Sequence, residues 1–104
     1  MIEVKPPGQP FPRVDKRAAE IVTYLVDCKV LLDKNELIVS AEVVDPPTGS
    51  TISNVRTRKG TSVEIKISNA PVTTAAYIDT TINLLLRTSM DNTRLASFIV
   101  RVYK

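Results

Sequence analysis

Thr61-Ser-Val-Glu-Ile-Lys-Ile-Ser68 is the stretch that decides the fold. Val63, Ile65 and Ile67 leave one side of the chain, while Ser62, Glu64, Lys66 and Ser68 leave the other. A repeat of two is the period of a half-buried β-strand, because successive side chains point to opposite faces of a sheet. The repeat returns in Ile82, Leu84 and Leu86, and again in Phe98, Val100 and Val102. An all-β fold follows, and nothing in the pattern carries chemistry.

Turn signals frame these stretches. Lys59-Gly60 lies between residues 52–58 and 61–68, which predicts a hairpin with Gly60 free to take positive φ. Asp45-Pro46-Pro47-Thr48-Gly49 ends an alternating run over 36–44, in which Leu37, Val39, Ala41 and Val43 share one face. Asn69-Ala70-Pro71 and Ser89-Met-Asp-Asn-Thr93 bound a long strand over 75–88, and 94–103 reads as the closing strand. Residues 15–33 are ambiguous. Ala18, Ile21, Leu25, Cys28 and Leu32 have helical spacing, yet Ile21, Val22, Thr23, Val26 and Val30 are β-branched. A strand over 20–26 followed by a loop or helical turn is favoured over a helix. Six or seven short strands at this spacing predict an immunoglobulin-like two-sheet sandwich with an extended N-terminal arm. Without a Cys…Trp…Cys pattern, an antibody-type domain is excluded.

Composition limits what the fold can do. A chain of 104 residues makes one domain, and with 5% aromatic residues and no Trp its core must rest on Val, Ile and Leu. Small domains of this kind are marginal alone and often gain stability by docking. Fourteen Lys and Arg against 11 Asp and Glu give a net charge of +3, too even to point to nucleic acid. The basic run Arg56-Thr57-Arg58-Lys59 reads as a solvated hairpin tip that discourages edge aggregation, with a phosphate clamp as the alternative. The chain has no His, which removes the commonest general base and most zinc sites. Cys28, the one cysteine, is expected as a buried thiol, an intermolecular disulfide being the alternative. Gly8, Gly49 and Gly60 are too scattered for a phosphate-cradling loop. Turn aspartates such as Asp45 and Asp91 more often bond their own backbone than hold a metal. No catalytic residue, cofactor or metal is expected.

Residues 1–14 stand apart, with four of the seven prolines, Pro6, Pro7, Pro10 and Pro12, set around Phe11. Proline-rich chain is extended and loses little entropy on docking, so these residues read either as a leader or as an arm lying on a neighbour. The domain proper is placed at 15–104. The N-terminus lacks the apolar region of a signal peptide and no stretch is long enough to span a membrane, so a soluble protein made in a cytoplasm is expected. In the strand over 75–88, Asp79 shares a face with Tyr77, Thr81, Asn83, Leu85 and Arg87. Exposed Tyr and Leu on a polar strand face suit a protein contact.

The order of features from Tyr24 to Val102 resembles short immunoglobulin-like modules of tailed bacteriophages. The resemblance rests on Tyr24-Leu-Val-Asp27, Leu31-Leu-Asp-Lys-Asn-Glu36, Leu37-Ile-Val-Ser-Ala-Glu-Val43, Pro46-Pro47 and the hairpin over 52–67. It rests most on the ending Ile82-Asn-Leu-Leu-Leu-Arg-Thr-Ser89, Asp91-Asn-Thr-Arg94 and Ser97-Phe-Ile-Val-Arg-Val102. Such modules usually open the penultimate strand with glycine and an in-phase aromatic. Here Ala75-Ala76-Tyr77 has neither, so either a bulge lies near Asp79-Thr80-Thr81 or the strand starts differently. The resemblance implies a non-enzymatic virion protein made in the host cytoplasm and present in many copies, as a homo-oligomer or on a repeating shell. A capsid decoration or cement protein docked on the major capsid protein is the first expectation. A tail, neck or fibre accessory protein, or a carbohydrate- or cell-surface-adhesion module, is the alternative. The docking residues expected are Pro6, Pro7, Pro10, Phe11, Pro12, Tyr77 and Leu85, with no membrane involved and nucleic acid, through Arg56, Arg58 and Lys59, the less favoured partner.

Overall fold

The stretches of period two become the inner strands of two packed sheets. A computed structural model describes residues 2–4, 12–71 and 74–104. Among these the strands are β1 (Ile2–Val4), β2 (Arg13–Arg17), β3 (Val22–Asp27), β4 (Ile38–Val44), β5 (Thr51–Arg58), β6 (Ser62–Ser68), β7 (Tyr77–Thr88) and β8 (Thr93–Tyr103). One sheet has the order β1-β3-β6-β5 and the other β2-β8-β7-β4. Taking β3 to β8 as strands B to G, these are the B-E-D and G-F-C arrangements of an immunoglobulin-type sandwich. The chain is therefore an all-β two-sheet sandwich.

The two sheets meet through alternate residues. Val63, Ile65 and Ile67 of β6 and Tyr24 and Val26 of β3 close one side of the core. Ile82, Leu84 and Leu86 of β7 with Phe98, Val100 and Val102 of β8 close the other. Tyr24 and Phe98 bridge the sheets at a ring separation of 6.0 Å. Each such side chain contributes about 1.5–3 kcal/mol on burial. The ambiguous segment resolves as strand β3 followed by a single 3-10 turn, Lys29–Leu31. Its alternation buries Tyr24, Val26 and Cys28 in turn, which a helix could not do with the same residues. Burial, then the charge of Asp27, pushes the Cys28 thiol up to about 12, so Cys28 stays a thiol inside the core.

The N-terminal residues depart from expectation. Ile2–Val4 pairs parallel with β3, and Val4 is fully inside the core. Arg13–Arg17 pairs parallel with β8, and Ile99 N–H donates to the Pro12 carbonyl at 2.9 Å. The described parts of the expected arm thus belong to the sandwich itself and bring the strands among the described residues to eight. Lys16 of β2 turns inward, where its ammonium donates to the carbonyls of Arg17, Ala18 and Asn69 at 3.0–3.3 Å. Burial lowers its pKa against the pull of Glu20.

Two interruptions of the repeat matter most. In β5 the register shifts between Ser53 and Arg56, with Asn54 at φ +53°. That bulge puts Val55 against the core and stands Arg56 and Arg58 on the outer face. There they cover Glu64, whose side chain is only 7% exposed, at 2.7 and 3.4 Å. In β4 the register shifts between Ile38 and Ser40. Ile38 is buried and Ala41 and Val43 pack on the core, but Leu37 and Val39 are 49% and 66% exposed. The expected face of four is therefore corrected: the bulge turns Leu37 and Val39 out. No such shift interrupts β7, which pairs continuously with β8 from Tyr77–Tyr103 to Arg87–Thr93. The bulge near Asp79 is absent, and Tyr77 stands on the outer face.

Two stability measurements follow. Ile65→Ala should cost about 2–5 kcal/mol in chemical denaturation. At Gly49 (φ +89°) a Cβ would meet the Pro71 backbone at 2.8 Å, whereas at Gly60 (φ +70°) it would meet the movable Leu37 side chain. Gly49→Ala is thus expected to cost about 2 kcal/mol or more, and Gly60→Ala about 1.

Candidate functional site

The outer face of the β2-β8-β7-β4 sheet holds both strand residues singled out in the sequence, but at opposite ends. Tyr77 opens β7 and Leu85 lies eight residues on, roughly 27 Å away at 3.4 Å per residue.

At the Tyr77 end, strand register sets Tyr77 beside Tyr103 and Asp79 beside Arg101. The two rings lie 5.9 Å apart, and the Arg101 guanidinium sits 4.1 Å over the Tyr77 ring. Arg101 also donates Nε and Nη2 to the two Asp79 oxygens at 2.8 and 3.0 Å. This bidentate bond is the chief cause that holds the Asp79 carboxyl below its ordinary range and raises the Arg101 pKa.

The Leu85 end is apolar. Leu85 pairs across the ladder with Leu95, which is 55% exposed. Met90 stands in the adjoining β7–β8 turn and is also exposed. Leu37 enters the same end, because its backbone N–H donates to Ser89 Oγ at 3.0 Å and its carbonyl accepts from Ser89 N–H at 2.8 Å. Val39, turned out by the β4 bulge, follows two residues later. Exposed Val39, Met90 and Leu95 and half-buried Leu85 thus stand at one end of the sheet, where a monomer usually exposes such side chains singly, while the Leu37 side chain lies against Gly60 of the β5–β6 turn.

A buried carboxylate fixes that end. Glu36 accepts from Thr88 Oγ1 at 2.6 Å, Asn92 Nδ2 at 2.8 Å and the Asp33 backbone N–H at 2.9 Å. Arg94, which also bonds Asp33, lies 3.4 Å from it. The Thr88 bond leads the set that lowers the Glu36 pKa from 4.5 to about 2. One side chain therefore ties the loop before β4 to the β7–β8 turn, and with it Leu37 to Met90 and Leu95.

Of the expected docking residues, Pro6, Pro7, Pro10 and Phe11 lie outside the described residues, and Pro12 immediately precedes β2, its carbonyl bonded to β8. Leu37, Val39, Met90 and Leu95 were not foreseen. Alternation assigned the first two to the core, and a register shift leaves no mark in hydropathy. Among the described residues no group of three or more acidic, Cys or His side chains is placed to hold a metal ion. No helix there is long and apolar enough to cross a membrane. The chain matches no family model, no curated protein and no solved structure.

The Glu36 bonds predict an acid transition. A carboxylate with a folded pKa below its unfolded one stabilises the fold fully above the unfolded value, and loses that effect as pH falls through the folded value. For Glu36 the window runs from about 4.5 down to about 2. Glu36→Gln should lower stability at neutral pH and flatten the acid loss in that window, read by urea denaturation at several pH values.

Proposed function

We propose that this chain is a non-enzymatic structural protein of a tailed-phage virion, docked on a larger virion protein through the Leu37–Leu95 end of its sandwich. The observation that carries the reading is the apolar group of Val39, Leu85, Met90 and Leu95 beside a turn braced by buried Glu36. Bracing matters because a surface already held in its bound shape loses less entropy on association. An apolar centre with Glu42 and Arg87 around it has the make-up of a protein-binding patch.

The virion assignment rests on the resemblance of the stretch from Tyr24 to Val102 to phage immunoglobulin-like modules. A capsid decoration or cement role is the first form of it, and a tail or neck accessory the second. In either role many copies on a symmetric particle would turn a modest single contact into durable attachment.

Mass spectrometry of purified particles from the phage encoding the chain tests the reading. The protein should be present, and Leu95→Glu or Val39→Glu should cut its occupancy at least ~tenfold while circular dichroism stays unchanged. Its absence from particles would remove the virion role. Full occupancy of both charged variants would remove the docking surface.

A further inference from the structure

We propose that the opposite end of the same sheet, built on Tyr77 and Tyr103, is a saccharide-binding site. It stands apart from the docking surface and does not depend on it. Strand register lays out two rows on the outer face: Arg17-Tyr103-Tyr77, and beside it Asp15-Arg101-Asp79. The first row gives aromatic surface, with Tyr77 44% exposed. The second places a guanidinium between two carboxylates.

This combination fits one ligand chemistry closely. A pyranose ring has a face of C–H groups that stacks on an aromatic ring, and a rim of hydroxyls that both donate and accept. Neighbouring hydroxyls match carboxylate and guanidinium groups, which bond two atoms at once. Asp79 keeps acceptor capacity beyond its two bonds to Arg101, since an ionised carboxylate offers about four lone-pair sites. A purely apolar partner would leave this charged row unmatched, and a polyanion would meet Asp15 and Asp79.

The platform is also fixed in advance. Arg101 is held at once by Asp79, by the Tyr77 ring and by a hydrogen bond with Tyr103. On either flank of Tyr103 lies a cleft. One, of about 350 Å³, is bordered chiefly by apolar Ala18, Ala70, Pro71 and Val102; the other, of about 340 Å³, by Asp15, Lys16, Arg17 and Glu20. Only the second has mainly polar walls, and it adjoins the Arg17-Tyr103-Tyr77 row on the Arg17 side. Open, solvent-facing sites of this kind bind weakly singly and strongly in many copies.

A printed array of lipopolysaccharide O-chains, capsular polysaccharides and peptidoglycan fragments, followed by amide NMR titration with the best binder, tests the site. Binding should perturb Tyr77, Arg101 and Tyr103. Tyr77→Ala and Tyr103→Ala should each weaken it at least ~tenfold, while Tyr77→Phe, which keeps the ring, stays within about twofold. Leu95→Glu should leave saccharide binding unchanged, which separates this site from the docking surface. Binding to no glycan on the array, perturbation confined to the Leu95 end, or full binding by both alanine variants would overturn the proposal.

Discussion

A β-strand can give a core only every second residue, and the rest of this molecule depends on how the chain keeps and breaks that rule. β6, β7 and β8 keep it without interruption. Their inward residues, from Val63 to Val102, make most of the core, and Val4, Tyr24, Val26, Cys28 and Ile38 close the rest. β4 and β5 break it once each, and both breaks decide what the surface shows. The β5 bulge at Asn54 sends Arg56 and Arg58 outward onto Glu64 in place of into the core. The β4 bulge sends Leu37 and Val39 outward, Val39 at the end of the sheet that carries Met90 in the β7–β8 turn and Leu95 in β8.

Three buried ionic groups show how the ends of so small a sandwich are fastened. Lys16 binds carbonyls from the β2–β3 turn and the loop after β6, Glu64 sits under two arginines, and Glu36 joins two loops at the apolar end. Each costs desolvation, and each is met by several partners, so the cost is offset locally. Removing one partner leaves a charge buried alone, which is why these groups act as pins for loop geometry. The apolar end is shaped by Glu36, just as the Tyr77 end is shaped by the Arg101–Asp79 pair.

Much of the fold was legible in the residues. Alternation marked β6, β7 and β8, Lys59-Gly60 marked the hairpin, and β-branched residues decided the 20–26 segment for a strand. Three things were not legible. Proline-rich sequence at the N-terminus concealed that Ile2–Val4 and Arg13–Arg17 pair within the sheets, because parallel edge strands this short have no periodic signature. A one-residue register shift is invisible to hydropathy, so Leu37 and Val39 were assigned to the core. Pairing across strands is not written along the chain, so Tyr77 and Leu85 looked like one surface, and the Tyr103 partner of Tyr77 had no local sign.

The two surfaces suit a molecule that is held at one end and presents the other. Tyr77 and Leu85 lie at opposite ends of one sheet face, and each end is backed by its own buried or bidentate ionic bond. That arrangement stands or falls on the outward position of Leu37 and Val39. Methyl NMR of Leu-, Val- and Ile-labelled protein with a soluble paramagnetic agent tests it most directly. The account predicts strong broadening of the Leu37, Val39 and Leu95 methyls and little at Ile65, Leu84 and Leu86. Equal protection of Val39 and Leu84 would contradict it.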